Sequence, residues 1–204
     1  MSVRLRAATT ADAAGVQAIY APFVRDTEIS FELEIPGVDE MARRLAEIGA
    51  RFPWLVAVEG PPDAEIVLGY AYATVWRTRT AYRFTAETAI YVDSAHHRRG
   101  LARALYGALF ELLARQGIRR IVAGITLPHP ASVALHEAFG FRPVGTFHAC
   151  GFKNARWWDV GFWERELLPT DLSSPPEPRD VRAVLAEAER EGTLERFAAA
   201  VRSS

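Results

Sequence analysis

The chain has 204 residues, half of them hydrophobic, which is enough for one domain with a full core and a short appendage. A formal net charge of −1 gives no global electrostatic basis for binding nucleic acid, and no apolar run reaches the length of a membrane span. The one cysteine, Cys150, excludes an internal disulfide, and the first residues lack the apolar stretch of a signal peptide. We therefore expect a soluble protein of the cytoplasm.

Hydrophobic spacing in the first part of the chain predicts a mixture of helices and strands. In chain order, the predicted elements are an edge strand at 3–7, a helix carrying residues 14–20, an extended segment at 27–35, a helix at 39–49, and strands at 54–58 and 66–76. Turn residues at Pro61, Pro62 and Asp63 separate the last two strands, so we expect these strands to form a hairpin. A basic loop at 77–83 follows.

The central stretch of the chain combines a strand, a basic turn and a helix. A strand at 84–92 leads to a turn with Arg98, Arg99 and Gly100, and a helix at 99–116 follows. Such a turn directs backbone N–H groups and the positive end of a helix dipole at one point, which is typical of phosphate binding. An ordinary solvated helix cap is the alternative, and the turn alone leaves both interpretations open. Walker and dinucleotide-binding patterns are absent from the sequence.

The last part of the chain predicts further strands and a separate tail. In chain order, the predicted elements are a strand at 118–125, a helix at 131–139, strands at 144–150 and 157–167 joined by a loop containing Lys153, Asn154 and Arg156, and two short helices within 180–202. This order predicts a mixed α/β domain at 1–168 whose sheet is partly antiparallel. A linker rich in proline and serine at 169–179 precedes a helical extension at 180–204. The amphipathic spacing of the extension predicts that it docks on the domain or on a second copy.

Several separate motifs resemble the GCN5-related N-acetyltransferase (GNAT) family. The turn HRRGLA at 97–102 resembles that family's pyrophosphate motif. Within the family, the similarity is closest to phosphinothricin N-acetyltransferases, in the segments PWLVA (53–57), AYRFTAETAIYV (81–92), HEAFGF (136–141), GFK (151–153) and WDVGFW (158–163). The resemblance covers roughly residues 3–168. His97, Ala102 and His129 depart from the residues that are usual in these motifs.

The resemblance implies a GNAT fold, a homodimer, and acetyl-CoA as co-substrate without a metal. The implied reaction acetylates the α-amino group of a small amino-acid-like acid, such as phosphinothricin or methionine sulfoximine or sulfone, by direct attack on the thioester. An acetyltransferase for another small amine or for a protein N-terminus, and a non-catalytic acetyl-CoA-binding module, are the alternatives. Neither nucleic acid nor a membrane is an expected partner.

The resemblance also assigns the residues of the site. Glu87 falls on the family's proposed general base, and His136 falls where related enzymes place a tyrosine near the CoA sulfur. The positions expected to bind the cofactor are Ile90, Tyr91, Val92, Arg98, Arg99, Gly100, Leu101, Ala102, Arg103, His129 and Ser132. Those expected to bind the acceptor substrate are Phe31, Arg77, Arg79, Tyr82 and Val160.

Each assignment has a plain structural alternative. Glu87 could be a surface glutamate in an ion pair, and His136 could only pack or cap its helix. Tyr91 shares a strand face with Glu87 and could line a pocket or belong to the core. Phe31 and Val160 could likewise be core residues. We expect Cys150 to be a buried strand residue without a catalytic role.

Overall fold

The computed structural model describes residues 2–170 and 173–202, which form seven strands and six α-helices. The predicted linker residues 171–172 and the last two residues of the predicted extension, 203–204, lie outside the described residues, as does residue 1. The strands are β1 (Arg4–Ala7), β2 (Trp54–Glu59), β3 (Ile66–Val75), β4 (Thr85–Val92), β5 (Arg120–Leu127), β6 (Arg142–Lys153) and β7 (Arg156–Glu166). The helices are α1 (Ala13–Asp26), α2 (Val38–Gly49), α3 (Leu101–Gln116), α4 (Pro130–Ala138), α5 (Val181–Arg190) and α6 (Thr193–Ala198).

The strands form one sheet in the order β1-β2-β3-β4-β5-β7-β6. Only β4 and β5 run parallel, and every other neighbouring pair is antiparallel. The predicted mixed, partly antiparallel sheet and the predicted hairpin of β2 and β3 are both confirmed. The segment 27–35, predicted to be extended, is an irregular loop between α1 and α2.

The two central strands part halfway along their length. Pairing of β4 with β5 stops at Glu87 opposite Val122, although β4 stays paired with β3 as far as Val92. Meanwhile β5 stays paired with β7 as far as Leu127. A cleft therefore opens in the middle of the sheet, and the backbone groups of β4 beyond Glu87 have no strand partner on the side of β5.

Helices cover both faces of the sheet. On one face, α3 buries Leu105, Leu109 and Leu113 at helical spacing against β2, β3 and β4. Each such leucine contributes roughly 1.5–3 kcal/mol when it is fully buried. On the other face, α1 and α2 bury Val16 and Leu45 in a second apolar cluster. The cleft in the sheet is thus held between two well-packed layers.

The hairpin of β6 and β7 differs from the sequence-based expectation. Its connection is only Asn154 and Ala155, both with positive φ (54° and 56°), which suits a tight two-residue hairpin turn. Lys153 and Arg156 are therefore the last paired strand residues and not members of a loop. The prediction that Cys150 is buried is wrong, because β6 is an edge strand and its pairing is interrupted between Phe147 and Gly151, which leaves Cys150 exposed.

The C-terminal extension, residues 180–202, packs on α3 and β1 of the same chain. Its buried side chains, which include Val184, Ala188 and Leu194, join the apolar cluster around α3. Gly192, with a φ of 64°, separates α5 from α6 in the left-handed conformation that glycine adopts without strain. The amphipathic spacing allowed docking on the domain or on a second copy, and the extension docks on the domain of its own chain.

Candidate functional site

A cavity of about 1070 Å³ fills the cleft between β4 and β5 and extends to the first turns of α3 and α4. Every position that the resemblance assigns to the cofactor lines it, namely Ile90, Tyr91, Val92, Arg98, Arg99, Gly100, Leu101, Ala102, Arg103, His129 and Ser132. His136 lines the cavity as well. The fold thus brings residues from two helices and one strand to a single concave surface.

The turn before α3 has several features that favour the binding of an anion. Gly100 adopts a φ of 91°, in the left-handed region, and Arg98 before it also has a positive φ of 63°. The N–H groups in the first turn of α3 have no partner within the helix, so they remain available to a phosphate. Within the part of the chain that the structure describes, the guanidinium groups of Arg98 and Arg103 form neither an ion pair nor a hydrogen bond. Leu101 takes part only through its backbone, because its side chain is buried in the core.

Arg99 has a different role from its neighbours. Its Nη2 lies 3.0 Å from Glu59 Oε1, and its Nε donates to the carbonyl oxygen of Arg202 over 3.1 Å. Only 11% of its side chain is exposed. The charge of Arg99 is therefore already balanced by a carboxylate, unlike the charges of Arg98 and Arg103.

Glu87 is the last residue of β4 that pairs with β5, so it lies where the cleft begins. Its Oε1 lies close to Gly124, which lines the cavity, and would be 3.5 Å from a Cβ atom at that position. Burial raises the pKa of the Glu87 carboxyl, and the nearby charge of Arg77 partly offsets that shift. Among the described residues, no cation lies within ion-pair distance of this carboxylate, so the surface ion pair considered from the sequence is not formed.

His136 is enclosed between two protein groups. It is 3% exposed, its Nδ1 lies 2.8 Å from the carbonyl oxygen of Ser132, and its Nε2 lies 3.1 Å from the hydroxyl of Tyr106. Burial lowers the pKa of the imidazole, so the neutral ring prevails. Because a carbonyl can only accept, Nδ1 carries the proton and Nε2 accepts from Tyr106. Both ring nitrogens are therefore occupied, Nδ1 within α4 and Nε2 by a residue of α3.

His129 stands where an asparagine is usual in the resembled family. Its Nδ1 accepts a hydrogen bond from the backbone N–H of Ser132 over 3.3 Å and so caps the start of α4. In the neutral ring this arrangement leaves the proton on Nε2. Since His129 lines the cavity, the substitution retains both a helix cap and a donor.

The positions assigned to the acceptor substrate lie outside this cavity. Arg77 stacks over Trp76 with 5.0 Å between the guanidinium carbon and the ring centroid, and Tyr82 meets the same ring edge-on at 5.2 Å. Arg79 precedes a short 3₁₀ turn and is exposed. Arg77 is the member of this group whose charge acts on Glu87.

Phe31 and Val160 belong to the opposite side of the sheet's cleft. The Phe31 ring covers Gly151 so closely that a Cβ atom there would lie 2.1 Å from it. Val160 is partly buried on β7, opposite Thr126, which lines the cavity. At 38% exposed, Phe31 is not a core residue.

Several residues that line the cavity were not expected from the sequence. They are Thr88, Tyr106, Gly124 and Thr126 in the domain and Phe197, Ala200 and Arg202 in the C-terminal extension. Their sequence surroundings carry no signal, because the parting of β4 from β5 and the docking of the extension are long-range features. The described residues contain no cluster of three or more side chains that could hold a metal, and none of their helices is long and apolar enough to cross a bilayer.

Comparisons with known proteins agree with one another. Residues 5–161 match the acetyltransferase (GNAT) domain family. The phosphinothricin N-acetyltransferase of Streptomyces viridochromogenes is 41% identical over 177 residues, which cover 86% of this chain and 92% of the relative. The L-methionine sulfoximine/L-methionine sulfone acetyltransferase of Pseudomonas aeruginosa is 36% identical, covering 83% of this chain and 98% of the relative. The crystal structure of a phosphinothricin acetyltransferase from Sinorhizobium meliloti in complex with acetyl-CoA is 37% identical, covers 87% of this chain and 95% of its own, and superposes with a TM-score of 0.79.

Proposed function

This chain belongs to the GNAT acetyltransferase family and is an acetyl-CoA-dependent N-acetyltransferase, and we propose that it acetylates the α-amino group of a small anionic amino acid. The expected fold, enzyme class and co-substrate are confirmed by the family match and the related structure. Phosphinothricin and methionine sulfoximine or sulfone are the acceptors that we propose, because relatives named for them share more than a third of their residues with this chain. Acetylation of phosphinothricin would confer resistance to that herbicide.

One observation supports the proposal most directly, namely the unpaired carboxylate of Glu87 at the inner end of the cleft, with the charge of Arg77 nearby. A bound α-ammonium group must lose a proton before it can attack a carbonyl carbon. A carboxylate with a raised pKa accepts that proton more readily than an ordinary glutamate, either directly or through one water. We assign Glu87 the role of general base.

The remaining groups of the cleft fit the other demands of the reaction. Acetyl-CoA supplies the activated acyl group as a thioester, and the first turn of α3 with Arg98 and Arg103 suits its phosphates. Backbone groups of residues 89–92 that lack a partner on β5 can bind amides and stabilise an oxyanion. We assign His136 a positioning role, because its two nitrogens are already engaged by Ser132 and Tyr106.

Arg77, Arg79 and Tyr82 are the groups that we propose for the anionic part of the acceptor. Guanidinium groups bind carboxylates and phosphinates through paired, directional hydrogen bonds. Phe31 and Val160 would supply apolar walls on the other side. Arg77, whose charge acts on Glu87, also disfavours a cationic acceptor such as a polyamine.

Replacing Arg77 with alanine is expected to raise the KM for the amino-acid acceptor about tenfold or more, the loss expected for one charge-assisted hydrogen bond. The nearby charge of Arg77 lowers the pKa of Glu87, so its removal should move the acidic limb of the kcat/KM profile to higher pH. Initial rates measured across pH with both substrates varied check both effects. The KM for acetyl-CoA should stay unchanged, and an unshifted acidic limb would show that Arg77 does not act on Glu87.

The proposed function is tested by a panel of acceptors assayed for release of the CoA thiol. Phosphinothricin, methionine sulfone and methionine sulfoximine should give turnover, whereas spermidine and a peptide with a free N-terminus should not. Amidating the carboxylate of an accepted amino acid should remove most of its activity. Turnover with the polyamine or the peptide alone would refute the anionic-acceptor proposal, and no turnover with any amine would refute the enzyme assignment.

We further propose that the enzyme is a cytoplasmic homodimer. A cytoplasmic location is supported by its lone, exposed cysteine, since a reducing compartment suits an unpaired thiol. The dimer is supported by four large apolar side chains on the edge hairpin, each between 56% and 63% exposed: Val144, Phe147, Phe152 and Trp157. Clustered exposure of this kind marks interaction surfaces.

Light scattering coupled to size exclusion should give the mass of two chains for the wild type. Trp157→Glu, which places a charge on the proposed interface, should shift the population towards one chain. A wild type that elutes with the mass of a single chain at micromolar concentration would rule out a stable dimer.

A further inference from the structure

The end of the C-terminal extension lies against the turn before α3. The backbone N–H of Arg202 donates to the carbonyl oxygen of Arg99 over 2.9 Å, while Arg99 Nε donates to the carbonyl oxygen of Arg202 over 3.1 Å. The carbonyl oxygen of Ala200 lies 3.5 Å from the place that a Cβ atom on Gly100 would take. Phe197, Ala200 and Arg202 therefore line the same cavity as the turn.

This placement is held by packing as well as by hydrogen bonds. The ring of Phe197 covers Gly107 of α3 so closely that a Cβ atom there would lie 2.7 Å from it. Leu194 and Ala198 are buried, and Arg196 donates to Glu111 on α3 over 2.6 Å. Because α6 is fixed on the helix that carries the turn, the position of Arg202 is set by the domain itself.

The arginines around the turn differ in whether their charges are balanced. The charge of Arg99 is balanced by Glu59, and its Nε holds the extension, while its buried Nη1 has no partner among the described residues. Arg202 also lines this cavity, and its guanidinium forms no hydrogen bond or ion pair with the residues that the structure describes. Many other arginines of the chain are held in ion pairs. Three arginines that have no ion-pair partner among the described residues, Arg98, Arg103 and Arg202, thus line this cavity.

We propose that the C-terminal extension is part of the acetyl-CoA site and that Arg202 binds a phosphate group of the co-substrate together with Arg98 and Arg103. This proposal rests on the acetyl-CoA dependence of the enzyme. The extension lies beyond residues 5–161, which match the GNAT domain, so the domain family does not assign it this role. In this chain the extension adds an arginine of its own beside Arg99, whose charge is balanced by Glu59.

Calorimetry with CoA tests the proposal without an acceptor substrate. Arg202→Ala should weaken CoA binding about tenfold or more, the loss expected for one charge-assisted hydrogen bond. Its affinity should also depend less steeply on salt concentration. Arg182→Ala is the matched control, because it removes an exposed arginine from the same extension that does not line the cavity. The kcat of the control Arg182→Ala should equal that of the wild type.

Titration with 3′-dephospho-CoA identifies the phosphate. A loss seen with CoA but not with 3′-dephospho-CoA assigns Arg202 to the 3′-phosphate, and an equal loss with both assigns it to the pyrophosphate. Arg202→Lys, which keeps the charge, should recover part of the affinity. The proposal is overturned if Arg202→Ala binds CoA as the wild type does, or if Arg182→Ala loses as much affinity. A wild type that binds no CoA at all would instead overturn the assigned acetyl-CoA dependence.

Discussion

Replacing Glu87 with glutamine is expected to lower kcat by about 100-fold or more, the usual contribution of a positioned general base. Glutamine keeps the size of the side chain but cannot accept the proton of the attacking ammonium group. The affinity for acetyl-CoA should hardly change, because Glu87 is not among the residues that line the cavity, whereas the turn before α3 is. Steady-state kinetics together with CoA calorimetry measures both effects. Glu189→Gln is the control, since Glu189 is an exposed residue of α5 outside the cavity.

The pH dependence of the rate provides a second test of the role of Glu87. Burial raises the pKa of Glu87, so the acidic limb of the wild-type profile should lie above the range in which an ordinary glutamate titrates. The raised pKa also means that Glu87 favours folding below its unfolded pKa and that this contribution is lost as the pH rises through its folded pKa. Glutamine stays neutral, so the variant should be at least as stable as the wild type at pH 7. Wild-type turnover and an unchanged acidic limb in the variant would show that Glu87 is not the base.

Replacing Lys153 with methionine is expected to destabilise the fold by about 2–4 kcal/mol. Lys153 is the only lysine in the sequence, is 5% exposed, and donates from Nζ to the carbonyl oxygens of Val24 and Ser30, each over 2.6 Å. Methionine fills the space but leaves these two carbonyl groups without a donor, at a cost of about 1–3 kcal/mol each. Part of that cost is offset because no ammonium group has to be desolvated in the variant. For a chain of this size the melting temperature should fall by roughly 5–15 °C.

Replacing Lys153 with methionine should also weaken binding at the proposed acceptor site. Val24 lies near the end of α1 and Ser30 precedes Phe31, so Lys153 fastens the loop that carries Phe31 to the β6–β7 hairpin. The KM for the amino-acid acceptor should rise, whereas the KM for acetyl-CoA should not. Differential scanning calorimetry and kinetics at a temperature below the transition check the two effects, with Arg182→Met as a surface control. An unchanged melting temperature would mean that water replaces the ammonium group at no cost.

The positions that the sequence assigned to the cofactor line one cavity, and most of them are close together in the chain. The turn before α3 depends on a local pattern of arginines and a glycine, and the strand and helix around it have clear periodicity. The family resemblance placed His136 at the cleft, but its hydrogen bond with Tyr106 depends on how α3 packs on α4. A side chain's chemical availability is a tertiary property that spacing alone does not report.

The wrong prediction for Cys150 also arises from tertiary structure that local sequence does not report. Cys150 has the hydrophobic surroundings of a core strand, but β6 is the last strand of the sheet and nothing described covers this position. Which strand ends at an edge depends on β7 inserting between β5 and β6, a long-range event. The cleft itself arises because β5 stays paired with β7 while β4 stays paired with β3. No short motif encodes this difference in pairing.

The docking of α6 beside the first strand has a consequence for biosynthesis. Because α6 contacts β1 as well as α3, the earliest and latest segments of the described chain meet in the finished molecule. The ribosome delivers a chain from its N-terminus, so α3 emerges well before α6. A nascent chain therefore carries an uncovered apolar strip around Gly107 until Phe197 has emerged. Chains released early from the ribosome would keep that strip exposed, a feature by which chaperones and proteases could tell unfinished molecules from complete ones.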